Sequence, residues 1–159
     1  MKKILILAIL SLSCLGVRAQ DYNWAIGVRG GGNDSGVTIK HILSDYNALE
    51  LTYNFQYPRD RMLRASVLSL LYEWNQPVFD DGFLFYYGFG AHIGAATMSK
   101  EDSDNYGSMV LGAAGVVGLE YQLYSAPIAF SLDYRPFINV LPQVRGFIGN
   151  VGLGIKFVF

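Results

Sequence analysis

The sequence predicts an all-β fold, an eight-stranded antiparallel up-and-down transmembrane β-barrel. Apolar and polar residues alternate along eight segments set apart by turn-forming residues. That period of two belongs to a strand, whose successive side chains point to opposite faces. The composition is greasy and poor in charge: 52% hydrophobic, 14% aromatic and 16% charged over 159 residues, with 18 glycines. Soluble domains carry about 25% charge. No apolar run approaches the roughly 20 residues of a membrane-spanning helix. Hydrophobicity concealed in alternation is the pattern of a barrel in lipid.

The N-terminus reads as a targeting segment. Lys2 and Lys3 precede the apolar run Ile4 to Leu12, and Val17-Arg18-Ala19 offers small or branched residues for cleavage. Residues 1–19 are expected to be a cleaved signal peptide and residues 20–159 the outer-membrane barrel domain. A rival use of Cys14 for lipid attachment is poorly served by Ser11-Leu12-Ser13 before it. Cleavage after Ala19 removes the one cysteine, and with it thiol chemistry. It leaves nine basic against thirteen acidic residues, a net charge of −4. With no basic stripe, nucleic acid is not an expected partner.

Each strand has its own pattern. Strand one sets Trp24, Ile26 and Val28 against Ala25, Gly27 and Arg29. The glycine-rich stretch from Gly30 to Gly36 reads as a turn. Strand two sets Val37 and Ile39 against Thr38 and Lys40, and a turn follows at Ser44 to Asn47. Strand three is the cleanest, with Leu49, Leu51, Tyr53, Phe55 and Tyr57 opposite Glu50, Thr52, Asn54 and Gln56. Strand four, Leu63 to Asn75, is apolar on both faces; keeping Glu73 and Asn75 together turns Leu68, Leu70, Tyr72 and Trp74 outward. Strand five puts Phe83, Phe85, Tyr87, Phe89, Ala91, Ile93 and Ala95 opposite Tyr86, Gly88, Gly90, His92 and Gly94. After the polar loop Ser99 to Gly107, strand six sets Met109, Leu111, Val117, Leu119 and Tyr121 against Gly112, Gly118, Glu120 and Gln122. Strand seven sets Ile128, Phe130, Leu132 and Tyr134 against Ala129, Ser131, Asp133 and Arg135, and Pro136 to Arg145 reads as a connection. The last strand, Gly146 to Phe159, is expected to pair with the first.

A soluble ligand-binding barrel has the same period with the faces exchanged. The polar face here is largely Gly, Ala, Ser and Thr, too poor in charge to face water. With the N-terminus taken as periplasmic, Trp24, Tyr46, Tyr72, Trp74, Phe83, Tyr121, Phe157 and Phe159 fall near the periplasmic rim. Phe55, Tyr57, Tyr134 and Phe137 fall near the outer rim. Two aromatic girdles mark membrane interfaces.

The inward set then contains Arg29, Lys40, Arg135 and Lys156 with Glu50, Glu73, Glu120 and Asp133, four charges of each sign. Lys40, Glu50, Glu73, Glu120 and Lys156 gather toward the periplasmic half, and Arg29, Asp133 and Arg135 toward the outer half. Buried charges must be paired, so the balance predicts a salt-bridge network plugging a narrow lumen. The alternative is that inward glycines leave a water-filled gap, a small channel or transporter.

The exported start, the eight alternating strands and the ending Gly-Ile-Lys-Phe-Val-Phe resemble small outer-membrane β-barrel proteins of Gram-negative bacteria, of the general OmpA/OmpX type. Tyr86-Tyr87-Gly88-Phe89-Gly90 and Ser131-Leu132-Asp133-Tyr134-Arg135-Pro136 are similar to segments of that class. The resemblance implies outer-membrane location, and the barrel is expected to be monomeric or weakly associated. It also implies recognition of the terminal aromatic strand, Phe157 and Phe159, by the barrel-insertion machinery. Larger relatives carry a peptidoglycan-binding domain that is not expected here.

Candidate chemistry is sparse. His41, Ser44 and Asp45 invite comparison with lipid-A-modifying outer-membrane enzymes, but a serine hydrolase needs nucleophile and base within hydrogen-bond reach, and these lie at the periplasmic end. Two isolated histidines give no metal-ligand spacing. Gly30-Gly31-Gly32 precedes no helix pattern, so it is no phosphate loop. No cofactor or metal is expected, although Glu101, Asp102 and Asp104 form an acidic run of the kind that meets divalent cations or water. Arg59, Arg61 and Arg64 lie at the outer rim, where they are expected either to pair with lipopolysaccharide phosphates or to form a solvated loop. The expected role is non-enzymatic, structural or surface-interacting, with outer-membrane lipid and lipopolysaccharide as partners.

Overall fold

The computed structural model describes residues 23–32, 34–56, 63–79, 82–98, 106–141 and 145–159, with backbone alone for 63–64, 97–98, 106–107 and 145–148. Eight strands close into a barrel in chain order: β1 (Trp24–Gly31), β2 (Asp34–Ser44), β3 (Asn47–Gln56), β4 (Leu63–Pro77), β5 (Phe83–Met98), β6 (Tyr106–Gln122), β7 (Ile128–Leu141) and β8 (Arg145–Val158). Every neighbouring pair is antiparallel, including β8 with β1. The seam is tied to the last residue: Trp24 N–H donates to the Phe159 carbonyl at 2.9 Å, and Phe159 N–H donates to the Trp24 carbonyl at 2.8 Å.

The register is staggered, as closure requires. A rung leaving β1 at Ala25 passes Lys40, Glu50, Leu71, Gly90, Ala114 and Phe137 to reach Ile148. Ala25 itself faces Val158, and 158 − 148 = 10 residues separate the two. With ordinary strand rise and spacing, that shear tilts the strands by about 40°. The tilt brings side chains from distant strands to one level inside the tube.

At one end the connections are tight: Asp45–Tyr46 joins β2 to β3, residues 78–82 join β4 to β5, and residues 123–127 join β6 to β7. We term this the turn end and the opposite rim the loop end. Phe79 and Gly82 in the second turn have φ of 64° and 94°; Gly82 has no Cβ to oppose that angle.

Several strands run beyond their sequence limits, β4 to Pro77 and β6 from Tyr106 among them, and two of the extensions bear on the lumen. β2 begins at Asp34, which lay within the expected glycine-rich turn; Asp34 pairs with Gln56 and points inward. β7 continues through Pro136 to Leu141 instead of ending at Arg135. Pro136 pairs with Gly149 of β8, whereas no pairing joins Pro136 to β6 between Tyr134 and Phe137. A residue without an N–H leaves a gap in one ladder, and the flanking rungs hold the strand in place.

The barrel is inside out relative to a soluble domain. Val28, Leu70, Phe89, Met109, Leu153 and Ile155 lie half or more exposed on the outer face. Among the described residues, every Asp, Glu, Lys or Arg side chain on a strand is buried in the lumen. Aromatic rings cluster near the turn end: Trp24 stacks on His41 at 4.1 Å, Trp74 touches Tyr72, Tyr87 and Phe89, and Phe83 lies 4.4 Å from Tyr121. Tyr53 and Phe55 pair toward the loop end. Phe137, expected on the outer girdle, instead meets His92 edge-on inside the barrel. Phe137 keeps the parity of Ser131, Asp133 and Arg135, and because β7 continues as a strand that inward face runs on to Asn139, which also meets His92. Tyr57 lies outside the described residues.

Candidate functional site in the barrel lumen

The lumen has three layers. At the turn end, Ala25, Ala129 and Val158 pack together with Ile42 against them and form an apolar floor. Above it lies a charged layer, and above that a polar cavity.

All eight charged residues named from the sequence face the lumen and are buried: Arg29, Lys40, Glu50, Glu73, Glu120, Asp133, Arg135 and Lys156. They form one network rather than an inner and an outer group. Lys156 Nζ donates to Glu120 Oε2 at 2.7 Å and to Glu50 Oε2 at 3.1 Å. Glu50 also accepts from Arg135, and Arg135 reaches Asp133 at 3.2 Å, so this guanidinium joins the two halves. Asp133 meets Arg29 at 2.6 Å, and Arg29 donates twice to Asp34, at 2.7 and 2.8 Å. At the other extreme Lys40 lies 3.1 Å from Glu73 and 3.8 Å from Glu120, and donates to Asn75 at 3.1 Å. Asp34 is a fifth acid, so the described lumen holds five carboxylates and four cations instead of an equal number. The glycines around Asp34 carry a turn signal that hid its strand parity.

Tyr86 is the central pillar that the charge pattern did not single out. Its hydroxyl donates to Asp133 at 3.2 Å, and its ring lies under Lys40 and Lys156 at 4.7 and 5.4 Å. Such cation–π contacts gain strength when desolvated. The inward glycines make room for these large groups rather than leaving an open gap. A Cβ at Gly118 would meet the Tyr86 ring at 2.7 Å, and one at Gly152 would collide with the Arg29 guanidinium. One at Gly112 would meet the His92 ring at 2.7 Å.

Among the described residues a cavity of about 30 Å³ lies toward the loop end, lined by Asp34, Asn54, Ser69, His92, Arg135 and Asn150 among others. That is room for about two waters. Asn54 Oδ1 and Arg135 Nε have no protein partner, an acceptor and a donor that such waters suit. His92 is engaged with Asn139 at 2.8 Å.

The remaining sequence candidates lie apart. His41 stacks on Trp24 with Nδ1 against the Asn23 carbonyl at 3.0 Å, while Ser44 accepts from Asn47 at 3.1 Å. The structure does not bring His41 and Ser44 together as base and nucleophile. Phe157 and Phe159 lie on the outer wall of the seam, 5.9 Å apart. Arg59 and Arg61, the acidic run Glu101, Asp102 and Asp104, and Cys14 lie outside the described residues; of Arg64 only the backbone, in β4, is described. Among the described residues no group of three His, Cys, Asp or Glu is placed to hold a metal.

A closed eight-stranded tube with a lipophilic wall and an ionic lumen is the fold of the small outer-membrane β-barrels. Solved structures with this fold include the N-terminal β-barrel domain of Pseudomonas aeruginosa OprF, at 17% identity and TM-score 0.69, covering 86% of this chain and 95% of that one. Neisserial surface protein A (NspA) is similar at 11% identity and TM-score 0.63, and Ail, the attachment invasion locus protein of Yersinia pestis, at 13% and 0.55. Each match covers 86% of this chain and 93% of the other. No protein-family model matches the sequence, and no curated protein sequence matches it significantly.

Proposed function

We propose that this chain is a non-enzymatic integral barrel of the Gram-negative outer membrane, exported by the signal peptide of residues 1–19, whose lumen is a plug and whose work is structural or surface-directed. The observation that carries this reading is the continuous chain of ion pairs from Glu73 to Asp34 across the tube. A side-chain network of that kind closes an eight-stranded bore. The outward face suits lipid, because a charge at the bilayer centre costs about 2–4 kcal/mol in a barrel wall and none is described there. In this reading Phe157 and Phe159 address the insertion machinery, and Arg59, Arg61 and Arg64 contact lipopolysaccharide phosphates. The surface role takes its support from likeness to barrels described as a surface protein and an attachment invasion locus protein.

Planar-bilayer recording of the purified barrel tests the plug. Silence is expected, and stable conductance steps would overturn it in favour of a small channel. The polar cavity above the network is the observation on the channel's side. An unchanged lipid A mass profile on expression is expected, and a change would restore the enzyme reading.

A further inference from the structure

We propose that the Glu73 carboxylate is a site for one further unit of positive charge, a proton or a small monovalent cation, beside Lys40. The starting point is a mismatch. Asp34, Glu50, Glu73, Glu120 and Asp133 face Arg29, Lys40, Arg135 and Lys156 inside the described lumen, and all nine are buried. A net buried charge is strongly unfavourable unless something compensates it.

The shortfall has an address. Asp34 accepts from Arg29 and Asn150; Asp133 from Arg29, Arg135 and Tyr86. Glu50 accepts from Arg135, Thr52 and Lys156, and Glu120 from Lys156. Glu73, fully buried, accepts no hydrogen bond on either oxygen. Lys40 lies 3.1 Å away but directs its hydrogen bond to Asn75 and is shared with Glu120. The other groups whose charge Glu73 feels are Glu50 on β3, Arg135 on β7 and Lys156 on β8. Glu120 on β6 and Tyr86 on β5 stand against Lys40, and the β1 neighbour in that layer is Ala25. Three acids therefore crowd two lysines at the turn end, and the open oxygens belong to Glu73.

Among the described side chains the missing charge is one unit. A divalent ion would overshoot it, and no cluster of three metal-binding side chains is described. A proton and a monovalent cation meet the same need, since each neutralises the carboxylate and occupies an open oxygen. Folding then takes up one positive ligand that an unfolded, ionised glutamate does not hold above its ordinary range near pH 4. Stability present at low pH is therefore lost as pH rises when that ligand is the proton.

The experiment is the urea midpoint of the detergent-folded barrel, wild type and Glu73→Gln, over about pH 5 to pH 9 in sodium chloride or choline chloride. A bound proton predicts a wild-type midpoint that falls with rising pH in both salts, and an infrared carboxylic-acid band that Glu73→Gln removes. A bound cation predicts no such band, and a midpoint raised by sodium over choline. In either case Glu73→Gln holds or raises the midpoint and abolishes the dependence. The proposal is overturned if Glu73→Gln lowers the midpoint as far as Glu50→Gln does, or if its pH and salt response matches wild type. Should Glu73→Gln fail to fold, the wild-type protein decides: no carboxylic-acid band together with no sodium effect overturns it.

Discussion

Lys156 shows how far a single side chain reaches in this barrel. Its stem passes Gly27, where a Cβ would lie 2.8 Å from Lys156 Cγ, and its ammonium bridges Glu50 and Glu120. Removing one member of a buried pair leaves the partner uncompensated, a loss of about 3–5 kcal/mol. Lys156→Ala is therefore expected to lower the urea midpoint of the detergent-folded protein, and an unchanged midpoint would remove Lys156 from the network. The glycine hollows make the complementary prediction. Gly118→Leu drives a side chain into the space of Tyr86, and overpacking of this kind costs about 1–3 kcal/mol. Thermal unfolding of the variant should show that loss, while Gly30→Ala, where nothing lies within 4 Å of a new Cβ, should not.

Strands carry the next level. Alternation assigned faces to β3 and β5 without error, because one residue of slip would exchange every side chain between lipid and lumen. Pro136 and the glycines before Val37 misled for the same reason: each is a turn signal in isolation. In the barrel, β8 holds Pro136 on its other side and β3 holds Asp34. The closing seam carries the proposed insertion signal. Phe159 is tied by backbone bonds to Trp24, while its ring lies half exposed on the wall. Phe159→Ala keeps those backbone bonds, so the purified variant should refold in detergent like wild type. In cells the folded fraction in the outer membrane should fall. Equal cellular yields would remove Phe159 as an insertion signal.

For the molecule as a whole, closure without an edge and a wall without described charge are the properties that lipid requires. The barrel should sit in the outer-membrane fraction and change mobility on a detergent gel when boiled. A protein that stays soluble and does not shift would contradict the membrane reading. In the proposed plug the network also sets what passes through. Converting Glu120 and Lys156 together to alanine removes a bonded pair at 2.7 Å above the apolar floor. Conductance steps should appear in planar bilayers where wild type shows none, and silence of the double variant would assign the seal to Tyr86 and Arg135.

The period of two and the scarcity of charge determined the barrel, its strand number and the face of eight lumen charges, since these are properties of a strand read locally against its solvent. Partners were a different matter. That Arg135 joins Glu50 and that Tyr86 stands between two lysines follow from the shear of ten residues, which brings β2, β3, β5, β7 and β8 to one level. Shear is a property of the closed ring and of no single strand, so only the tertiary structure decided which charges meet and that Glu73 is left without a donor.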